Sequence, residues 1–346
     1  MKRQKNLTIV AFLTVLMFGA DVAKALEPIP QGSGFSGYIR PGVGYISVKS
    51  NMVARFLGVD VSEKKADSLF DSPESKSSPF FLFPFSLEYT FADTRTQLFI
   101  GTEPTDLIRF DVSQQVGIKQ EIGKFGIIQG GFLFNTIALK VWQDPYVAGY
   151  QDRVETDQKS NGGRLVWDRP FGSQLQMQYS YRKIDLGKET SGEFLGLNRE
   201  QRDLLDRNGN RHIGEILYRF ALTPKHRLTP TFRYTRNDLD GGSMAGDAVA
   251  FQFTYTFLGD PYAVIANVFF GYEDYDERNP IYNKYQTDDH LGLQASLYYK
   301  NPWGWRIFGS NPINFYVSGA FVDSDSNIDF YDQQAILATG GVLFRW

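Results

Sequence analysis

Short runs of two-residue alternation recur along the chain, separated by polar stretches. The clearest covers 174–182, where Leu175, Met177, Tyr179 and Tyr181 alternate with Gln174, Gln176, Gln178, Ser180 and Arg182. A period of two belongs to a strand with one apolar and one polar face. The same pattern sets Phe81, Phe83, Phe85, Leu87, Tyr89 and Phe91 against Leu82, Ser86, Glu88 and Thr90. It returns in 248–257 and in 335–346. Taken in order, the runs predict fourteen strands, with twelve or sixteen as alternatives. They fall near 35–48, 81–91, 95–102, 108–122, 125–135, 162–168, 175–182, 212–222, 227–235, 248–257, 262–273, 290–300, 312–322 and 335–346. Pro41 lies inside the first run and predicts a bulge there. Gln114 falls among apolar residues of the fourth and leaves its register open. Asn198–Asp206 reads as a short capped helix stopped by Asn208-Gly209.

The connections alternate in kind. Those after odd-numbered strands are long or polar, notably 51–78, 136–161, 183–211 and 274–289, and those after even-numbered strands are mostly tight turns. This is the organisation of a transmembrane antiparallel up-and-down β-barrel, with short turns on the periplasmic side, long loops outside and an even strand number. A β-propeller would show a blade repeat of about 40–45 residues, and none is visible.

Composition agrees. The chain has 29 Phe, 19 Tyr, 5 Trp and 33 Gly but no Cys, so disulfides, thiolate metal sites and a lipidated N-terminal cysteine are excluded. Lys2, Arg3 and Lys5 precede the apolar run 7–20, and Ala23-Lys24-Ala25 fits a cleavage site. Residues 1–25 are therefore expected to be a cleaved signal peptide, and 26–346 a single barrel domain. Cleavage leaves 32 basic and 38 acidic side chains, a balance that argues against a nucleic-acid partner.

The ending Thr339-x-Gly341-x-x-Phe344-x-Trp346 resembles the C-terminal signal of Gram-negative outer-membrane barrels, which the insertion machinery reads and which closes the barrel against the first strand. The start Leu26-Glu27-Pro28-Ile29-Pro30 with Ser33-Gly34-Phe35-Ser36-Gly37-Tyr38 resembles an uncharacterised proteobacterial outer-membrane family, known only as a domain of unknown function. The resemblance implies an outer-membrane location, with lipid, lipopolysaccharide and the barrel-assembly machinery as partners. It implies no cofactor and no site residues.

If the aromatic face meets lipid, the opposite face lines the interior. That face carries Arg40, Glu88, Arg164, Asp168, Arg182, Glu215, Arg219, Arg227, Arg233 and Glu273. Charges there require water or a partner. The five arginines of strands six to nine form a basic wall, with Asp168 and Glu215 able to pair with some of them. One reading is a pore for small polar or anionic solutes; the other is a salt-bridged brace in a narrow barrel. Asp323, Asp325, Asn327 and Asp329 alternate like a Ca²⁺ loop. They depart from that pattern at Ile328, where glycine belongs, and at Gln334, where the bidentate glutamate belongs, so a solvated loop is the plainer reading. His290 after Asp288-Asp289 could form an Asp/His pair, but no nucleophile can be placed beside it. The sequence therefore predicts a non-enzymatic, porin-like channel, with a non-conducting structural or loop-binding barrel as the alternative and a membrane hydrolase behind both.

Overall fold

The computed structural model describes residues 28–66, 68–102, 113–307 and 311–346. The expected signal peptide, the turn at 103–107 and the start of the fourth strand at Ile108 lie outside them. Fourteen antiparallel strands close into one barrel. β1 is Gly34–Ile39 continued by Gly42–Lys49, and β2 is Ser75–Leu82 continued by Phe85–Phe91. β3 (Thr96–Thr102), β4 (Ser113–Glu121), β5 (Ile127–Asn135), β6 (Glu155–Asp168) and β7 (Leu175–Leu186) follow. β8 is Gly209–Tyr218 with Phe220–Thr223. β9 (His226–Leu239), β10 (Gly246–Leu258), β11 (Tyr262–Asn279), β12 (Lys284–Lys300), β13 (Asn311–Ser326) and β14 (Gln333–Arg345) complete the wall. Each strand pairs with its neighbours, and β1 pairs with β14 through Tyr38–Arg345 and Gly42–Gly341.

Alternation along the strands decides which way each side chain points. Val43, Leu98, Phe132, Leu165 and Phe251 are exposed on the outer wall. Gln97, Gln129, Arg164, Ser180 and Thr231, one position out of phase on the same or neighbouring strands, are buried inside. A polar-in, apolar-out wall with every strand edge paired meets the demand of a bilayer, where an unpaired backbone group has no water to bond.

Pro41 does not create a bulge. Ile39 faces Phe85 and Gly42 faces Leu82, so three steps on β1 match three on β2 and no residue is inserted. Pro41 and Pro84 simply interrupt the ladder, because neither has an N–H to donate. Arg40 N still donates to Pro84 O (2.8 Å) and Val342 N to Pro41 O (3.1 Å), which keeps the wall shut. At the short-turn end, Gly126 has φ 97°, and a Cβ there would lie 2.4 Å from the Asp168 carbonyl.

Several strands run beyond their expected ends. β6 starts at Glu155, and 274–289 is a hairpin of β11 and β12 rather than a polar loop. Hydrophobic alternation marks only the segment whose outer face meets lipid; the ladder continues past it, where Asp274, Asp276 and Asp289 point outward. A span needs about 9–11 residues, so the 18 residues of β11 carry it well past the membrane.

The described long connections carry structure of their own. The segment 51–78 contains a hairpin, Val53–Phe56 and Val59–Asp60, turning at Leu57-Gly58. Val53 pairs with Val141 on the short strand Leu139–Trp142, which itself extends the β6 ladder. The hairpin's apolar side packs with Ile46, Val61 and Phe80, all on or against the inner wall. The expected helix is present as α1 (Arg199–Asp203), shorter than read, with Asn198 and Gln201 forming a reciprocal cap.

Candidate lumen site

The interior wall of β6 to β9 gathers several charged side chains around one space. Arg164, Arg182, Arg211, Glu215 and Arg233 line one cavity of about 250 Å³, together with Phe56 and Leu57 from the inward hairpin. Among the described residues lining it, four are arginines and one is a carboxylate. Arg233 Nε lies 2.8 Å from Glu215, whose other oxygen accepts Gln178 Nε2 at 2.7 Å. Arg164 Nε donates to Ser180 Oγ (3.0 Å) and Arg182 to Ser113 Oγ (2.7 Å). Antiparallel pairing sets these neighbours side by side: Arg164 opposes Ser180, and Glu215 opposes both Gln178 and Arg233.

The expected wall of five arginines is split by height. Arg219 lies near the short-turn end, where Asp168, fully buried, accepts from it at 2.5 Å and from Arg169 at 2.8 Å. Arg219 donates also to Gln176 Oε1, at 2.6 Å. Arg227 also lies toward that end of β9, half-buried, opposite Ala221 and Thr256. Arg211, at the end of the expected loop 183–211, instead lies on β8 and takes a place in the upper cluster. Its phase with Ile213 and Glu215 was the available signal, hidden because β8 begins at Gly209 rather than at 212.

The remaining interior candidates sit elsewhere on the wall. Glu88 accepts from Lys119 at 3.0 Å, and Lys119 lies over the Phe99 ring. Glu273 accepts from Asn237 (2.6 Å) and lies 3.3 Å from His290 Nε2. That pairing corrects the idea of a rim dyad with the preceding aspartates. Asp288 is engaged by Gln286 and by the Tyr275 hydroxyl (3.0 Å), while Asp289, one residue out of phase, faces outward. Arg40 lies at the β1 interruption, its guanidinium 3.9 Å from the Tyr316 ring centroid.

The oxygen-rich stretch near β14 does not converge on a point. Asp323 and Asp325 are part of β13, and Asp323 accepts from Gln334 at 3.0 Å. Asn327 accepts from Thr287 N and donates to Tyr285 O, and Asp329 opens a short 3₁₀ turn. Among the described residues no group of three or more His, Asp or Glu side chains could hold a metal ion.

At the closing seam, Thr339 and Gly341 lie on β14 opposite Gly44 and Gly42. A Cβ at Gly341 would stand 2.2 Å from the Pro41 carbonyl. Phe344 and Trp346 stack at 5.6 Å, and Gly37 and Trp346 exchange two backbone hydrogen bonds of 3.2 Å.

Above the lumen, several of the described rim loops meet in an apolar cluster. Tyr146, Leu205, Met244, Ile328, Phe330 and Tyr331 are buried there, with Met52, Leu69 and Tyr282 packed against them. The Tyr146 and Tyr331 hydroxyls bond at 2.6 Å across 185 residues, joining the β5–β6 and β13–β14 connections. Burial pushes the Tyr146 hydroxyl well above its ordinary pKa, reinforced by Tyr331, and burial raises Tyr331 too. Arg153 braces the same roof: it donates to Asn51 O (3.1 Å) and Ser62 Oγ (3.2 Å) over the Trp142 ring. Burial lowers its guanidinium to about 10, opposed by the nearby Glu63.

A family model described as "Protein of unknown function (DUF2860)" matches residues 34–345. No curated protein matches the chain. Among solved structures, OmpT, an outer membrane protein of Vibrio cholerae, is similar at 12% identity and TM-score 0.37, covering 90% of this chain and 98% of its own. An anion-selective porin from Comamonas acidovorans is similar at 9% identity and TM-score 0.39, covering 91% and 99%. A Pseudomonas aeruginosa FadL homologue is similar at 10% identity and TM-score 0.41, covering 90% and 89%.

Proposed function

The chain belongs to this family of unknown function, and we propose that it is an outer-membrane channel through which small polar or anionic solutes diffuse passively. Residues 1–25 would export it, and the aromatic outer wall would sit in lipid and lipopolysaccharide after delivery by the assembly machinery. The observation that supports the reading is the cavity of β6 to β9, where four arginines face one glutamate among the described lining residues. A water-filled passage between low-dielectric walls with that excess raises the local concentration of anions and opposes cations. Among the described residues the charged groups of the wall hold one another and Ser, Asn or Gln side chains, and we assign no reaction to it.

The test is single-channel conductance of the purified, folded protein in a planar bilayer, with reversal potential under a salt gradient. Stable openings with anion preference are expected. Arg182→Glu combined with Arg233→Glu changes the formal balance of that lining from three positive to one negative, so the reversal potential should change sign. A silent bilayer, or unaltered selectivity in the double variant, rejects the open anion passage.

The packed roof favours a second reading, a barrel closed at its long-loop end. Tyr146 and Tyr331 hold opposite sides of the rim together. If Tyr146→Ala with Tyr331→Ala conducts where the parent is silent, the loops are the barrier and the lumen below is passable.

A further inference from the structure

A second interior cavity, of about 540 Å³, lies between the inward hairpin and the β1–β2 and β11–β14 walls. Its character is opposite to that of the arginine cavity. Phe56 and Leu57 at the hairpin tip, Phe80 and Leu82 of β2, Ile265 and Leu337 turn apolar surface into it. These occupy positions that a water-filled barrel fills with polar groups. Apolar surface left in water forgoes about 25 cal/mol per Å² that an apolar occupant recovers. The volume lies within the range of about 300–1,000 Å³ typical of small-molecule sites.

Arg40 is the one charged side chain among the described residues lining this cavity. Its guanidinium lies over two tyrosine rings, 3.9 Å from Tyr316 and 5.5 Å from Tyr298. Its Nε is buried and has no hydrogen-bond partner among the described residues. The Tyr316 hydroxyl, buried behind it, offers that guanidinium a neutral neighbour and no countercharge. A half-buried cation with an orphaned donor and no carboxylate is costly unless something of opposite charge meets it. Tyrosine faces hold a guanidinium in place without neutralising its charge.

We propose that this cavity binds a single-chain anionic amphiphile, with its alkyl chain against Phe56, Leu57, Phe80 and Leu337 and its anionic head on the Arg40 guanidinium. An apolar molecule alone leaves Arg40 unanswered, and a small hydrophilic anion leaves the apolar walls wet. A molecule with both parts satisfies both. The site depends on the barrel and its hairpin and not on conduction through the arginine cavity, so the two proposals fail separately.

The experiment is equilibrium binding of carboxyl-labelled dodecanoate to the full barrel in phosphatidylcholine nanodiscs, compared with dodecanol and acetate. Saturable binding of dodecanoate at about one per barrel is expected, with dodecanol weaker and acetate not measurable. Arg40→Gln should weaken dodecanoate at least tenfold and leave dodecanol unchanged. Leu57→Asp, at a hairpin tip outside the barrel ladder, should weaken both. Heat-modifiable migration on gels confirms that each variant is folded. Dodecanoate uptake that never saturates, equal binding by Arg40→Gln, or equal binding by folded Leu57→Asp overturns the proposal.

Discussion

Asp168 is fully buried with Arg219 and Arg169 on its two oxygens, and Arg219 itself is nearly buried. A pair like this gains little over a well-packed apolar pair, but removing one member strands the other as an uncompensated charge. Asp168→Ala should therefore cost about 3–5 kcal/mol. The variant should lose its heat-resistant gel form at a clearly lower temperature than the parent. Adding Arg219→Met should restore much of the loss, because the stranded charge goes with it. An Asp168→Ala barrel as stable as the parent would show that water reaches Arg219 and that the short-turn end of the lumen is wet. Glu215 is less enclosed by its partner, since the Arg233 side chain keeps 28% of its exposure, and Glu215→Gln should be milder. Phase alone reads the inward direction of Asp168, Arg219, Glu215 and Arg233. Their pairing could not be read, because a partner such as Arg219 for Asp168 lies 51 residues away and is fixed by register.

The elements that decide whether the lumen is open are the connections, and these were least visible in the sequence. The hairpin of Val53–Phe56 and Val59–Asp60 hides in a stretch rich in Ser, Lys and Asp. Its few apolar residues alternate too briefly to stand out, yet they cover Ile46 and Phe80 inside the barrel. The roof is built from single apolar residues in several loops, each unremarkable in its own segment. Its polar latch, however, has a readable pH signature. Both Tyr146 and Tyr331 are neutral in the closed roof, and burial raises their pKa above the ordinary 10.0. Below pH 10 the phenols are neutral whether the roof is closed or open, so pH has no effect there. Above it the open form releases protons that the closed form retains, and closure weakens by about 1.4 kcal/mol per tyrosine for each further pH unit. Phenolate absorbance from these two residues should thus appear late and together with loop exposure to protease. Tyr331→Phe should remove part of that absorbance and make the proteolysis less steep in pH. Proteolysis unaffected by alkaline pH would mean that the two hydroxyls are not what holds the roof.

At the scale of the whole molecule the fold follows from one repeated constraint. Every strand edge must be paired where lipid surrounds the chain, and the last pairing, β14 with β1, is the one that removes the remaining free edges. Strand number and the alternation of long and short connections were legible because lipid imposes the same polarity pattern on each crossing. Strand length was not, because above the membrane that pressure lapses while the ladder persists through Asp274 and Asp289. The closing seam has a particular weakness: Pro41 and Pro84 interrupt the ladder beside it, and past the Val342–Pro41 hydrogen bond it is held by the short Tyr38–Arg345 and Ile39–Phe344 pairing, the Gly37–Trp346 backbone bonds and the Phe344–Trp346 stack. Replacing both rings, Phe344→Ala with Trp346→Ala, removes side-chain packing but no backbone donor. If the rings act only in the finished barrel, the variant should assemble normally and melt earlier. If they also guide assembly, as the resemblance of the C-terminal residues implies, the folded fraction in the membrane should fall severalfold. Barrels that do form should then be close to the parent in heat resistance. Measuring the folded fraction and the melting of that fraction separately distinguishes the two, and a change in neither would leave the seam held by its hydrogen bonds alone.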